Sequence, residues 1–136
     1  MKENRFANQI SEADLGTLAG QWLADIRSKR AEESDAGDAV VSMNFSASPE
    51  TQWRFILKAV ELSESDDELS HVAAGPIEHL LGWHGEQYIA LVENEVQLNP
   101  KFARALTGVW QYRMSDDVWS RLQTLQSAVA DPLRPS

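Results

Sequence analysis

Between Leu15 and Ile26 the apolar residues fall at Leu15, Leu18, Ala19, Trp22, Leu23 and Ile26, the spacing of one face of a helix. Ser11-Glu12-Ala13-Asp14 ahead of this stripe offers a hydroxyl cap and first-turn acids, and Arg27, Lys29 and Arg30 behind it carry the charge that a helix C-terminus favours. Gly16 and Gly20 lie one turn apart beside the stripe. Each costs about 1 kcal/mol against alanine inside a helix, which points to a close backbone approach there. Residues 1–10 read as a loose lead-in.

The helical spacing lapses over residues 31–48, which read as a linker between the first helix and the main bundle. Glu32 to Asp38 is acidic and small. Val40 to Phe45 has the look of a short strand, but one strand without a partner does not persist. A loop is expected, with Val41, Met43 and Phe45 tucked against the helices.

After residue 48 the helix signals follow closely on one another. Ser48-Pro49-Glu50 is a cap followed by a first-turn proline. It opens a helix through Trp53, Phe55, Ile56, Leu57, Ala59, Val60 and Leu62, apolar on more than one face and therefore central. Ser65-Asp66-Asp67-Glu68 is a capping box, leading into Leu69, Val72, Ala73, Ile77, Leu80 and Leu81. Gly75-Pro76 predicts a kink or a restart, and Gly82 and Gly85 are expected to bracket Trp83-His84 in a turn. Tyr88, Leu91, Val92 and Val96 form the next stripe. Asn99-Pro100 repeats the cap-then-proline signature before Phe102, Ala105, Leu106, Val109 and Trp110. Ser115-Asp116-Asp117 caps the last helix, with Val118, Trp119, Leu122, Leu125 and Val129 inward, and residues 131–136 form a frayed tail. The whole is an all-α fold: one domain over 1–136, a compact bundle of about six helices in mostly antiparallel hairpins. Trp53, Ile56, Val60, Leu106, Val109 and Leu122 are expected in its core, and core packing is the expectation for Trp110.

The chain of 136 residues contains no cysteine, which excludes disulfides, thiolate metal sites and a cysteine nucleophile. No apolar run reaches the length of a signal peptide core or a membrane span, so a cytoplasmic protein is expected. Twenty-one acids against twelve bases give a formal net charge of −9. Such a surface disfavours nucleic acid and anionic membrane and favours fast association with a basic protein partner.

Ala73-Ala74-Gly75-Pro76-Ile77-Glu78-His79-Leu80-Leu81, then His84-Gly85, then Asn99-Pro100-Lys101-Phe102 with Leu106 and Gly108-Val109-Trp110, resembles a bacterial family of small all-helical proteins known only as a domain of unknown function. The resemblance spans residues 50–125. It implies an all-helical fold and a bacterial source, and it transfers no activity.

Catalytic chemistry would have to come from His84 with Glu78 or Glu86. Phase opposes it: on an unbroken helix from Leu69, His84 lies along the apolar stripe and Glu78 nearly opposite, with His79 in a third direction. Two histidines five apart do not make the i, i+4 pair of a helical zinc site. The simpler reading packs His84 half-buried against a helix-end carbonyl and leaves Glu78 in the first turn of a restarted helix, favoured by the dipole. No phosphate loop, nucleophile elbow or calcium-loop spacing occurs, so neither cofactor nor metal is expected. Glu61, Glu64, Asp66, Asp67 and Glu68 gather five acids without an interleaved base and, with Trp83 as an aromatic anchor, form the candidate partner-binding surface. The acids from Glu32 to Asp38 form a rival patch. The expected function is a non-enzymatic, acidic protein-binding domain, most specifically an immunity-type inhibitor that neutralises a basic partner such as a bacterial toxin. The alternatives are a small helical enzyme using His84 with Glu78 or Glu86, and a regulatory adaptor that holds a helix in a groove.

Overall fold

A computed structural model describes residues 10–30 and 33–133. The order of helices is α1 (Glu12–Arg27), α2 (Asp35–Ser46), α3 (Pro49–Leu62), α4 (Asp66–Val72), α5 (Glu78–Leu98), α6 (Pro100–Leu106) and α7 (Asp116–Ser127), with a π-helical turn, Ala73–Ile77, between α4 and α5. Every described element is helical, so the fold is all-α. The N-terminal caps stand where the polar residues place them. The hydroxyls of Ser11, Ser48, Ser65 and Ser115 and the amide oxygen of Asn99 each accept from the backbone N–H three residues on.

Helix α2 replaces the expected loop. Ser34 caps it through a 2.8 Å bond from the Gly37 N–H, and Ala36, Val40, Met43 and Ala47 are buried, a helical period rather than an alternating one. Of the three residues expected to tuck inward, Met43 is fully buried, whereas Val41 and Phe45 are 56 % and 63 % exposed. Glu32 and the lead-in residues 1–9 lie outside the described residues; Ile10 joins the core.

The second departure is continuity. The expected kink at Gly75-Pro76 takes the form of the π-turn, in which the Glu78 N–H reaches back five residues to the Ala73 carbonyl. Proline has no N–H to give, and the wider turn carries the hydrogen-bond ladder past it. The helix does not stop at Gly82-Gly85 either. It bends at His84, whose φ of −135° and ψ of 25° are non-helical, and continues to Leu98. Residues 66–98 therefore form one bent rod, not three pieces separated by turns.

Two glycines flanking the bend let other segments approach the rod closely. A Cβ on Gly82 would lie 2.5 Å from the Tyr112 carbonyl oxygen, and one on Gly85 3.1 Å from a Val118 methyl. These two residues admit the 107–115 segment and α7 onto the rod. Gly16 and Gly20 have no such role, since a Cβ on Gly20 would meet nothing within 4 Å and one on Gly16 only the Lys58 side chain at 4.0 Å.

The core forms where α1 packs on α3 and where α3, the rod and α6 converge. Phe55, Ile56, Val60, Phe102, Leu106 and Leu122 are fully buried and Val109 nearly so, while Trp53 packs against them half-buried. Trp110 does not join: it is 75 % exposed. The C-terminal segment is docked as far as Leu133, whose N–H donates to the Thr107 hydroxyl at 2.9 Å, while Arg104 donates to the Asp131 carbonyl at 2.7 Å. Residues 134–136 of the expected frayed tail lie outside the described residues.

Candidate functional site

The acidic cluster becomes a hub of ion pairs once the chain is folded. Glu68, 2 % exposed, takes two hydrogen bonds from the Arg27 guanidinium at 2.7 and 3.2 Å, one from the Ser65 hydroxyl and one from the Glu64 N–H. The Arg27 hydrogen bond, above all, holds its carboxyl below the ordinary value. Asp66 is clamped by Arg104 through two bonds of 2.9 and 3.0 Å. Glu61 meets Lys58 at 3.3 Å, Glu64 meets Arg27 at 3.5 Å, and Asp67 lies 3.9 Å from the His71 ring. No base interrupts the acids from 61 to 68 in sequence, but α1 and α6 deliver Arg27 and Arg104 from outside it. Glu61, Glu64 and Asp67 remain at the surface; Glu68 does not.

Of the candidate catalytic residues, His84 and Glu86 border one cavity, which Glu78 does not line. The Glu78 carboxylate accepts the Trp110 backbone N–H at 2.9 Å, tying the 107–115 segment to the start of α5. Glu78 does stand in the first turn of α5, as expected, and its carboxylate reaches from there to the 107–115 segment. Burial raises the Glu78 carboxyl above its ordinary value, against the lowering effects of that N–H and of nearby His79. Glu86 accepts from the Ser115 hydroxyl at 2.7 Å. Among the described residues no hydrogen bond or ion pair joins His84 to either carboxylate. The carbonyl contact expected of His84 is made by His79, whose Nδ1 lies 3.0 Å from the Gly75 oxygen. A carbonyl accepts only, so His79 Nδ1 carries the proton.

His84 instead stands half-buried beside two cavities. One, of about 340 Å³, is lined by Trp83, His84, Glu86, Arg113 and Ser115 among others. The second, of about 210 Å³, is a cleft lined by Asn44, Phe45, Trp83 and His84. Trp83 borders both and is 50 % exposed. The Arg113 guanidinium lies 3.9 Å from the centre of the Trp83 ring, cation–π geometry. Arg113 itself adopts a φ of 58°, a left-handed conformation uncommon outside glycine. The His79 ring lies between Phe45 and Tyr112, with centroids 4.9 and 5.1 Å away.

Beneath this aromatic rim is a polar group without a partner. Asn44 is 5 % exposed, and its Oδ1 is buried with no hydrogen bond. Gln52 Oε1 is also unpaired, but the other end of that amide donates to the Ala47 carbonyl at 2.9 Å. Asn44 and Arg113 were not singled out in the sequence, Phe45 was expected to tuck inward, and His79 entered only as a histidine out of phase with His84. The signal for Asn44 is a polar residue on the Val40–Met43–Ala47 face, legible only when the segment is read as a helix.

Among the described residues no group of three or more histidines, cysteines or acids is placed to hold a metal, and no helix is long and apolar enough to cross a membrane. These features define an all-helical domain with an aromatic cleft beside a π-turn. Residues 25–129 match the model of DUF6869, a family of unknown function; the chain belongs to that family. No curated protein and no solved structure matches it.

Proposed function

We propose that this chain is a non-enzymatic, acidic domain that binds a basic protein partner, most specifically an immunity-type inhibitor of a bacterial toxin, acting in the cytoplasm. The observation that carries the binding reading is the cleft at Asn44. Phe45 and Trp83, 63 % and 50 % exposed, flank a buried amide that has no partner of its own. Large aromatics around a desolvated polar group resemble the centre of a protein interface, where a few side chains carry most of the affinity. The net charge of −9 supports a basic partner. The binding centre accordingly moves from the acidic cluster, whose Asp66 and Glu68 are engaged by Arg104 and Arg27, to Trp83 and its neighbours, with Glu61, Glu64 and Asp67 left to steer the approach.

The test is co-expression with the product of an adjacent gene, followed by co-purification. A stable complex that Trp83→Ala weakens at least tenfold supports the reading; a complex indifferent to Phe45→Ala and Trp83→Ala removes the cleft from it. The enzymatic alternative has the placement of His84 beside both cavities in its favour. Against it, Glu78 and Glu86 are already engaged elsewhere.

A further inference from the structure

Resting on that reading, we infer that the cleft between α2 and α5 is an arginine socket: Asn44 and the rings of Phe45 and Trp83 receive a guanidinium side chain from the basic partner. Asn44 supplies the first reason. A buried amide oxygen without a donor weakens the fold, and a leucine of similar volume at this inward position would not. The side chain lines the cleft, and a half-turn about its last torsion exchanges oxygen and nitrogen. The floor can therefore offer an acceptor to whatever enters.

The walls narrow the choice of donor. The cleft is lined by two aromatic residues, a histidine and the amide, with no cation among them. At about 210 Å³ it has room for roughly seven waters at their liquid volume, enough for a guanidinium and its adjoining methylenes. Trp83 already holds one guanidinium, that of Arg113, at 3.9 Å. Arg113 lines the neighbouring cavity and not this one, so the same ring is also presented to the cleft. A planar, weakly hydrated cation with several donors can stack on aromatic rings while bonding an amide, which a compact, strongly hydrated ammonium does less well. The net charge of −9 draws such a group in.

The experiment titrates the isolated domain with N-acetyl-arginine amide, with the lysine and citrulline counterparts alongside, and follows amide, indole and Asn44 side-chain resonances by NMR. Saturable millimolar binding is expected for arginine, with shifts confined to Asn44, Phe45, Trp83 and His84. Citrulline, which has the shape without the charge, should bind about tenfold more weakly or worse. Asn44→Leu should melt at the same temperature or higher while losing arginine binding, and Phe45→Ala, an exposed change, should weaken it without unfolding the domain. Equal binding of lysine, shifts spread over the acidic surface, or no saturation would each overturn the socket. Those outcomes leave the protein-binding reading to its own test: a co-purified complex that depends on Trp83 keeps the reading and discards the socket, whereas absence of both discards the two together.

Discussion

The Arg27 guanidinium donates two hydrogen bonds, of 2.7 and 3.2 Å, to Glu68 across forty-one residues of chain, joining the end of α1 to the start of α4. Glu68 also closes the capping box, since its amide donates to Ser65 while its carboxylate accepts from Ser65 and from the Glu64 N–H. One side chain thus satisfies a helix terminus and fixes the packing of a distant helix. Its folded carboxyl lies below the ordinary value. The stability it contributes is present above the unfolded glutamate value of about 4.3 and is lost as pH falls through the lower folded value. Glu68→Gln should therefore lower the melting temperature at pH 7 and flatten its decline in acid. Parallel acid melts of the two proteins would contradict the assignment.

Glu78 titrates with the opposite sign. Burial raises its folded carboxyl, so its contribution to stability is most favourable below the unfolded value and declines as pH rises through the folded one. Glu78→Gln keeps an oxygen for the Trp110 N–H and removes the buried charge. It should match or exceed the parent in melting temperature at pH 7, whereas Glu78→Ala, which leaves that N–H without its partner, should fall below it. Thermal melts of the three proteins at pH 7 and pH 4 decide the matter; a glutamine variant less stable than the alanine one would refute it.

The caps and core were legible because each depends on a few neighbouring residues. Ser48-Pro49 and Asn99-Pro100 begin helices wherever they occur before an apolar period, and Leu106 and Leu122 lie on faces whose spacing is unambiguous. What escaped the reading depends on distance in the chain or on winding. Arg27 and Arg104 neutralise acids that look bare in sequence. Leu69, Ala73, Ile77, Leu81, Gly85 and Ile89 are all buried at four-residue intervals. An ideal helix would drift by about 40° per interval, or about 200° over the five. The π-turn and the bend at His84 unwind the rod enough to help keep these residues facing inward. A phase argument that assumes regular winding from Leu69 therefore misplaces Glu78 and His84. Asn44 was missed, and Phe45 expected inward, for a simpler reason, since the α2 segment was read as a loop.

Two glycines should respond to alanine in opposite directions. In Gly82→Ala the new methyl would meet the Tyr112 carbonyl oxygen at 2.5 Å. Backbone cannot yield as a flexible side chain does, so the 107–115 segment must shift, at about 1–3 kcal/mol. In Gly20→Ala the methyl meets nothing within 4 Å inside α1, and the gain in helix propensity should stabilise by about 0.5–1 kcal/mol. Urea unfolding of both variants checks the pair. Destabilisation by Gly20→Ala would mean that α1 is packed more closely than its described neighbours indicate.

With a partner in hand, the acids and the aromatics should separate kinetically. Glu61, Glu64 and Asp67 lie at the surface, where charge acts over a screening length of about 8–10 Å. Reversing Glu61 and Asp67 to lysine should slow association and reduce its salt dependence, with dissociation little changed. Trp83→Ala removes contact area at the cleft and should act chiefly on dissociation, by about 2 kcal/mol or more if the ring is a hot spot. Glu68 must be kept out of this series. It is buried and bound to Arg27, so its reversal damages the fold before it reports on any partner. Surface plasmon resonance at several salt concentrations reads both rates. If the acid reversals act on dissociation while Trp83→Ala leaves it unchanged, the interface centres on the ion-pair hub and not on the cleft.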